Sequence, residues 1–248
     1  AYVDLREEFN RLVLPDIQLH TEHLSLQQSA SYQFDTQELS LALNAEGIAI
    51  ESVKPLLPEN LIGPDTLAYL ERALVSGRVT GADVLWQGNP AAFPFLKQQG
   101  IFQAKAEVED VTFVFEPQWP AIEKLHASVL FENESLYLSG RSGEIVGIEL
   151  LKAEGTLAEL AESGVLVIDA KARGNATQLT ELMQNSTLAD SVGVALTEMQ
   201  VSGELLSDLT LTIPLTGEDV IAKGQGQLLD NQIIIPSLDL TLENVQGQ

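Results

Sequence analysis

Few side chains in this sequence are both suited to chemistry and spaced for it. His20 and His23 are three residues apart, which on a helix would aim both imidazoles at one metal ion. They lie among Ile17, Leu19, Leu24 and Leu26, whose alternation reads as strand, and there an odd spacing sends the two rings to opposite faces. The expectation is two strand histidines and no metal site. His126, between Leu125 and Ala127, is expected to face water. Glu107, Glu109 and Asp110 offer carboxylate oxygens to calcium, but no D-x-[DN]-x-[DN]-G loop organises them. Such neighbours arise by chance among 36 acids in 248 residues.

Ser139-Gly-Arg-Ser-Gly143 hints at a nucleophile turn but lacks the G-x-S-x-G spacing, and it is expected to be a plain turn. Gly224-Gln-Gly226 has neither the third glycine nor the following helix of a dinucleotide fingerprint. With no Cys, thiolate zinc sites, disulfides and cysteine nucleophiles are excluded. No catalytic residue, metal or cofactor is expected, and an enzyme is disfavoured because no nucleophile or organised acid/base pair emerges.

Composition narrows the class. Thirteen Lys plus Arg against 36 Asp plus Glu leave a net charge of -23, so no basic face for nucleic acid can be assembled. At 45% hydrophobic residues the chain is too apolar to be a disordered acidic tail. No run of about 18 apolar residues is present to cross a bilayer as a helix. The sequence begins at Ala1 without Met and ends at Gln248 in strand-like sequence, as expected of a segment of something longer.

The elements follow a period of two. Leu209, Leu211, Ile213 and Leu215 alternate with threonines, and Phe102, Ala104, Ala106 and Val108 alternate with polar residues. Val111, Phe113 and Phe115 then change parity, which places a bulge or turn near Glu109 and Asp110. Leu125, Ala127, Val129 and Phe131 lead into a hairpin loop at Glu132-Asn-Glu134 and return through Leu136 and Leu138. A second hairpin is expected at Asp230-Asn231, with Val220 to Leu228 entering and Ile233 and Ile235 leaving. Residues 111 to 147 and 209 to 247 form a faint repeat that favours an array of hairpins. Two helices interrupt the strands, one about 64 to 76 ending at Gly77 and one about 175 to 185 capped by Asn175 or Thr177. Thr156-Leu-Ala-Glu159 matches a capping box within residues that also alternate, so it reads either way.

The reading is therefore mainly β: residues 1 to 248 as one elongated, strongly bent antiparallel sheet whose repeated hairpins leave an open hydrophobic groove. A closed β-sandwich is the alternative. An open apolar face needs an apolar occupant, and one lined by Leu, Ile, Val and Phe without convergent polar groups suits acyl chains. Its expected lining is Leu125, Val129, Phe131, Leu209, Leu211, Ile213, Ile233 and Ile235. Phe93-Pro94-Phe95 and Trp119-Pro120 are expected to fix strand turns and fill corners.

An ordered set of short motifs adds to this. Leu57-Pro58, Gly63-Pro64 with Leu70 and Ala73-Leu74, Leu85-Trp-Gln-Gly88, Phe93-Pro-Phe95, Gly100-Ile-Phe102 and Trp119-Pro120 resemble the AsmA-like proteins of Gram-negative envelopes, nearest the YhdP-type branch. Phe131-Glu-Asn133 with Leu136, and Ile213-Pro-Leu215, extend the resemblance over most of the chain. It implies a periplasmic β-groove, tethered to the inner membrane by an anchor missing from this segment. It further implies phospholipid acyl chains as cargo moving between inner and outer membranes, support of the outer-membrane permeability barrier, and room for an outer-membrane partner. A non-enzymatic scaffold acting through sheet-edge pairing is the other reading.

Overall fold

The computed structural model describes residues 2–4, 10–21, 25–56, 64–160, 163–186, 200–215 and 220–247. Every described strand belongs to one antiparallel sheet. The strands are β1 Tyr2–Asp4, β2 Arg11–His20, β3 Ser25–Gln33, β4 Glu38–Glu46, β5 Ile48–Ala49, β6 Leu74–Gly88 and β7 Ile101–Phe113. There follow β8 Ile122–Glu132, β9 Ser135–Ile145, β10 Ile148–Leu157, β11 Val165–Asn175, β12 Gln200–Pro214, β13 Ile221–Ile235 and β14 Leu240–Gly247. Each pairs with its sequence neighbours, except that β4 pairs directly with β6 and the short β5 lies against β6 off the main path. The path runs from β1 to β14 without closing on itself or meeting a second sheet, so among the described residues there is no sandwich.

The surface agrees with that topology. The accessible area is 15217 Å² for 26.9 kDa, whereas a compact protein of this mass exposes about 10,800 Å². At about 4.8 Å per strand spacing, thirteen strands in line extend roughly 58 Å. Phe131, Leu138, Ile168 and Leu211 remain only half-buried in mid-strand, with no opposing sheet among the described residues.

Bulges keep one face apolar where the local alternation breaks. Asp110 adopts φ 51° between the registered pairs of Val108 with Ala127 and Val111 with Leu125, which confirms the bulge expected there. Lys124, at φ 50°, supplies a matching irregularity in β8. The expected hairpin at Glu132-Asn-Glu134 is present, with Asn133 at φ 52° and its Oδ1 accepting from Phe102 N at 2.8 Å.

The second expected hairpin is corrected. Asp230-Asn231 is a bulge within the continuous strand β13, since pairing with β12 resumes on both sides, Glu204 with Leu229 and Ser202 with Gln232. The fully buried Asn231 holds it: Leu229 N donates to its Oδ1 at 2.6 Å, and its Nδ2 donates to Ser202 O at 3.0 Å. Asp230 at φ 57° and Gly203 at φ +107° both fall in the gap between those pairs, with Gly203 against Asn231. A turn-prone dipeptide has been used to insert one residue instead of reversing the chain, so the faint repeat stops at this point.

Among the described residues three α-helices accompany the sheet: α1 Ile50–Val53, α2 Pro64–Ala73 and α3 Ala176–Gln184. α2 stops three residues before the expected end at residue 76. Leu74 already pairs with Phe113, and Ala73 O accepts from Val114 N at 2.8 Å, so the ladder takes over from the helix. Gly77 is not a helix stop; it sits at φ +130° in β6, where a Cβ would lie 2.7 Å from Val111. α3 matches its expected span, with Asn175 as cap and a full capping box through Gln178. Thr156 to Leu157 is strand, and Leu157 is 2% exposed, so packing settles that ambiguous segment. Ile50 of α1 packs on Val79 and Val111, forming the small core at one end of β6 and β7.

Candidate functional site, an uncharged face across the sheet

Residues paired across antiparallel strands point to the same side, so the register traces each face of the sheet. One line of partners reads Leu19, Leu26, Ala45, Ala82, Ala106, Val129, Leu138, Gly155, Ile168, Leu211, Ala222, from β2 to β13. The next reads Ile17, Gln28, Leu43, Val84, Ala104, Phe131, Leu136, Leu157, Leu166, Ile213. Neither line contains a charged residue. On the other side of Val129 the floor is lower: Val108, Ala127, Gly140, Ala153, Ala170, Leu209 and Gly224 are successive partners.

The eight residues expected from the sequence all fall on this face and all are half-buried. Val129 and Leu211 share the first line; Phe131 and Ile213 share the second; Leu209 lies on the low floor. Leu125 pairs with Val111 at the end near α1. Ile233 and Ile235 rejoin the face because the Asp230 bulge reverses parity: Ile233 pairs with Val201 and Leu242, and Ile235 with Leu240. What sequence reasoning missed is the small-residue floor. Gly140 and Gly143 belong to Ser139-Gly-Arg-Ser-Gly143, which is interior strand of β9 and not the expected turn. A Cβ at Gly140 would stand 3.3 Å from Ala153 and Leu150, and one at Gly143 3.2 Å from Ile122. These glycines let neighbouring side chains cross the sheet, a signal that exists only once strands are paired. Gly224-Gln-Gly226 is likewise strand.

Aromatic rings wall one end. Trp86 stacks on Phe93 at 5.4 Å, with Phe95 at 5.4 Å and Phe102 at 5.3 Å, and Phe95 is 2% exposed. Beyond the opposite end of β7, Phe115 meets Trp119 at 5.3 Å. These rings fill corners, as expected of them.

The reverse face carries the ionic chemistry. Arg141 Nη1 donates to Glu107 Oε2 at 2.8 Å, and Lys105 Nζ stands 3.1 Å from Glu107 Oε1. Burial alone would raise the Glu107 pKa, but the hydrogen bonds and charges of Arg141 and Lys105 prevail and hold it below the usual value. Lys152 pairs with Glu154 at 2.7 Å and Lys171 with Asp208 at 2.6 Å, while Thr210 donates to Asp169 at 2.6 Å. His126 reaches Asp110 at 3.3 Å on a side chain 37% exposed. Glu107, Glu109 and Asp110 are thus engaged or spread along the strand, and no group of three metal-ligating side chains occurs among the described residues. His20 ends β2; His23, Leu57-Pro58 and Gly63 lie outside the described residues. No described helix is long and apolar enough to cross a membrane.

An apolar face with a charged reverse can hold a hydrocarbon ligand. The chain is 32% identical over 191 residues, 77% of its length, to the intermembrane phospholipid transporter YhdP of Escherichia coli (strain K12). It spans 15% of that relative's length. No solved structure matches significantly. The family described as YhdP protein matches residues 3–248, and with that match over nearly the whole length the chain belongs to the YhdP family.

Proposed function

We propose that this chain is one stretch of a periplasmic conduit that passes phospholipid between the inner and outer membranes, tethered to the inner membrane by a part of the protein outside this sequence and supporting the outer-membrane permeability barrier. The observation that carries the reading is the uncharged face continuing through ten or more strands, with no second sheet over it among the described residues. Acyl chains lie against it, with Leu125, Val129, Phe131, Leu209, Leu211, Ile213, Ile233 and Ile235 among the contacts, and the headgroup stays in water. Burial of hydrocarbon contributes about 25 cal/mol per Å². Because successive strands present similar aliphatic surfaces, the attraction changes little along the sheet, which holds a lipid while letting it slide. Transfer then needs no catalytic group.

The test is detergent-free purification from a Gram-negative host, followed by organic extraction and mass spectrometry, with an equally acidic soluble protein as control. Near-stoichiometric phospholipid supports the conduit; a stable, lipid-free chain rejects it for this segment. A second reading rests on β14, whose Leu240 and Leu242 are exposed at the sheet edge: an outer-membrane assembly partner adds a strand there. Proline substitutions in β14 that abolish partner capture while leaving bound lipid unchanged would favour it.

A further inference from the structure

The two rims of the apolar face are built differently. At the rim where β7 ends and β8 begins, helices lie on the face itself. Ile50 of α1, 2% exposed, packs on Val79 and Val111 across β6 and β7. The connection from β7 to β8 carries the Phe115–Trp119 ring pair. α3 leaves β11 and packs on β12. Beneath it Leu205 and Ile148 are each 6% exposed, and its own Leu182 is buried. Leu205 shares a side of β12 with Leu209 and Leu211, and Ile148 shares a side of β10 with Leu150, so both belong to the apolar face. α3 also reaches back to the β9–β10 turn, where a Cβ at Gly147 would meet Gln178 Nε2. The opposite rim is plainer. There β8 passes directly into β9 through Asn133 and Glu134. Phe131 and Leu136 beside that turn, and Leu166 and Ile213 further along, are half-buried, although Leu157 between them is buried. Across β6 and β7 the stacked Trp86 and Phe93 wall this rim as well.

We infer that a phospholipid on this face is held in one orientation, its headgroup leaving the face at the rim of the β8–β9 turn, with α1 and α3 closing the other rim. This rests on the conduit reading and adds the polarity of the bound lipid. A headgroup drawn toward the helix rim would lie against Ile50, Leu182 and Leu205 and shed its water there, which is unfavourable for a charged phosphate with no partner. At the β8–β9 turn it stays hydrated while its acyl chains remain on the aliphatic floor. The helices act as positioning elements and touch no reacting atoms. Lipids held with one polarity pass along the sheet in file without any of them turning over.

The chain contains no Cys, so one fluorophore can be attached at either rim. Glu149→Cys places it beside the β9–β10 turn, and Glu159→Cys places it next to the β8–β9 turn, where Leu160 N donates to Glu134 O at 2.6 Å; both side chains are exposed. Each labelled chain is loaded from vesicles containing phosphatidylethanolamine with a nitroxide quencher on its headgroup, and bound lipid is counted after re-isolation. The two positions flank β10, roughly 30 Å apart, so quenching per bound lipid at position 159 should exceed that at 149 by at least ~threefold. Leu182→Asn, which loosens α3, should narrow that ratio with the same lipid content, circular dichroism confirming the sheet. Equal or reversed quenching in the two probe variants overturns the orientation and, with lipid bound, leaves the conduit standing. A ratio unmoved by Leu182→Asn in a folded chain overturns the part given to α3; if that variant does not fold, the two probe variants still decide the orientation. No bound lipid overturns both readings.

Discussion

Leu211→Glu puts the conduit reading at risk at a single position. Leu211 stands in mid-line on the apolar face between Ile168 and Ala222, with Leu209 and Ile213 beside it on its own strand. A hydrocarbon chain lying across the strands advances about 1.25 Å per methylene, so roughly four methylenes pass each 4.8 Å strand spacing. Full burial of four methylenes contributes about 3 kcal/mol; on an open face about half of that is realised. A carboxylate at this position removes that contact, and a chain laid over it would have to strip its water. The expected loss is therefore at least ~1.5 kcal/mol, or about tenfold in affinity at that place. The assay is lipid retained per chain after detergent-free purification, together with reloading from vesicles, with circular dichroism confirming the sheet. Thr212→Glu is the matched control, because Thr212 points to the reverse face between Val167 and Ile221. It is preferable to Thr210, whose hydroxyl bonds Asp169. Leu211→Ala, which keeps the surface apolar, should lose about twofold or less. If Thr212→Glu depletes lipid as much as Leu211→Glu does, or if Leu211→Glu retains the normal amount, the assignment of the face is wrong.

Other perturbations test the architecture. Asn231→Ala leaves the Leu229 amide and Ser202 carbonyl without their partner and should cost about 2 kcal/mol, read as a lower urea midpoint. Gly77→Ala forces a Cβ to 2.7 Å from Val111 at φ +130° and should destabilise by about 1–3 kcal/mol; a neutral result would mean β6 and β7 pair differently there. Trp86→Ala empties the cluster with Phe93, Phe95 and Phe102 and should cost about 3–5 kcal/mol in chemical denaturation. The lowered pKa of Glu107 means its ion pairs contribute stability above the unfolded carboxyl value of about 4.5, and that this contribution fades as pH falls through the folded value. Glu107→Gln should accordingly flatten the loss of stability below about pH 5; an unchanged acid profile would show that the pairs with Arg141 and Lys105 do not form.

Local alternation was readable because each strand records its own two faces every second residue. That is why the eight apolar residues could be assigned to one face, and why the bulge at Asp110, the hairpin at Asn133 and the cap at Asn175 were recognisable from a few consecutive side chains. Wherever a local signal has two outcomes, the partner strand chooses. Asp230-Asn231 is a turn signal until β12 continues past it on both sides. The α2 helix could continue beyond Ala73 until Phe113 claims Leu74. Ser139 to Gly143 looks like a loop until Ala153 and Ile122 occupy the space above its glycines.

The sequence by itself determined the material: an acidic, cysteine-free, strand-forming chain whose aliphatic residues sort to one side of each strand. Only the tertiary structure decided that those sides join into one face. Register is a relation between residues far apart in the chain, and a shift of one position would turn a strand's aliphatic set toward the charged side. Bulges at Asp110, Lys124 and Asp230 supply the odd residue that keeps the face continuous, and the absence of a second sheet along the described path leaves it open to an apolar ligand.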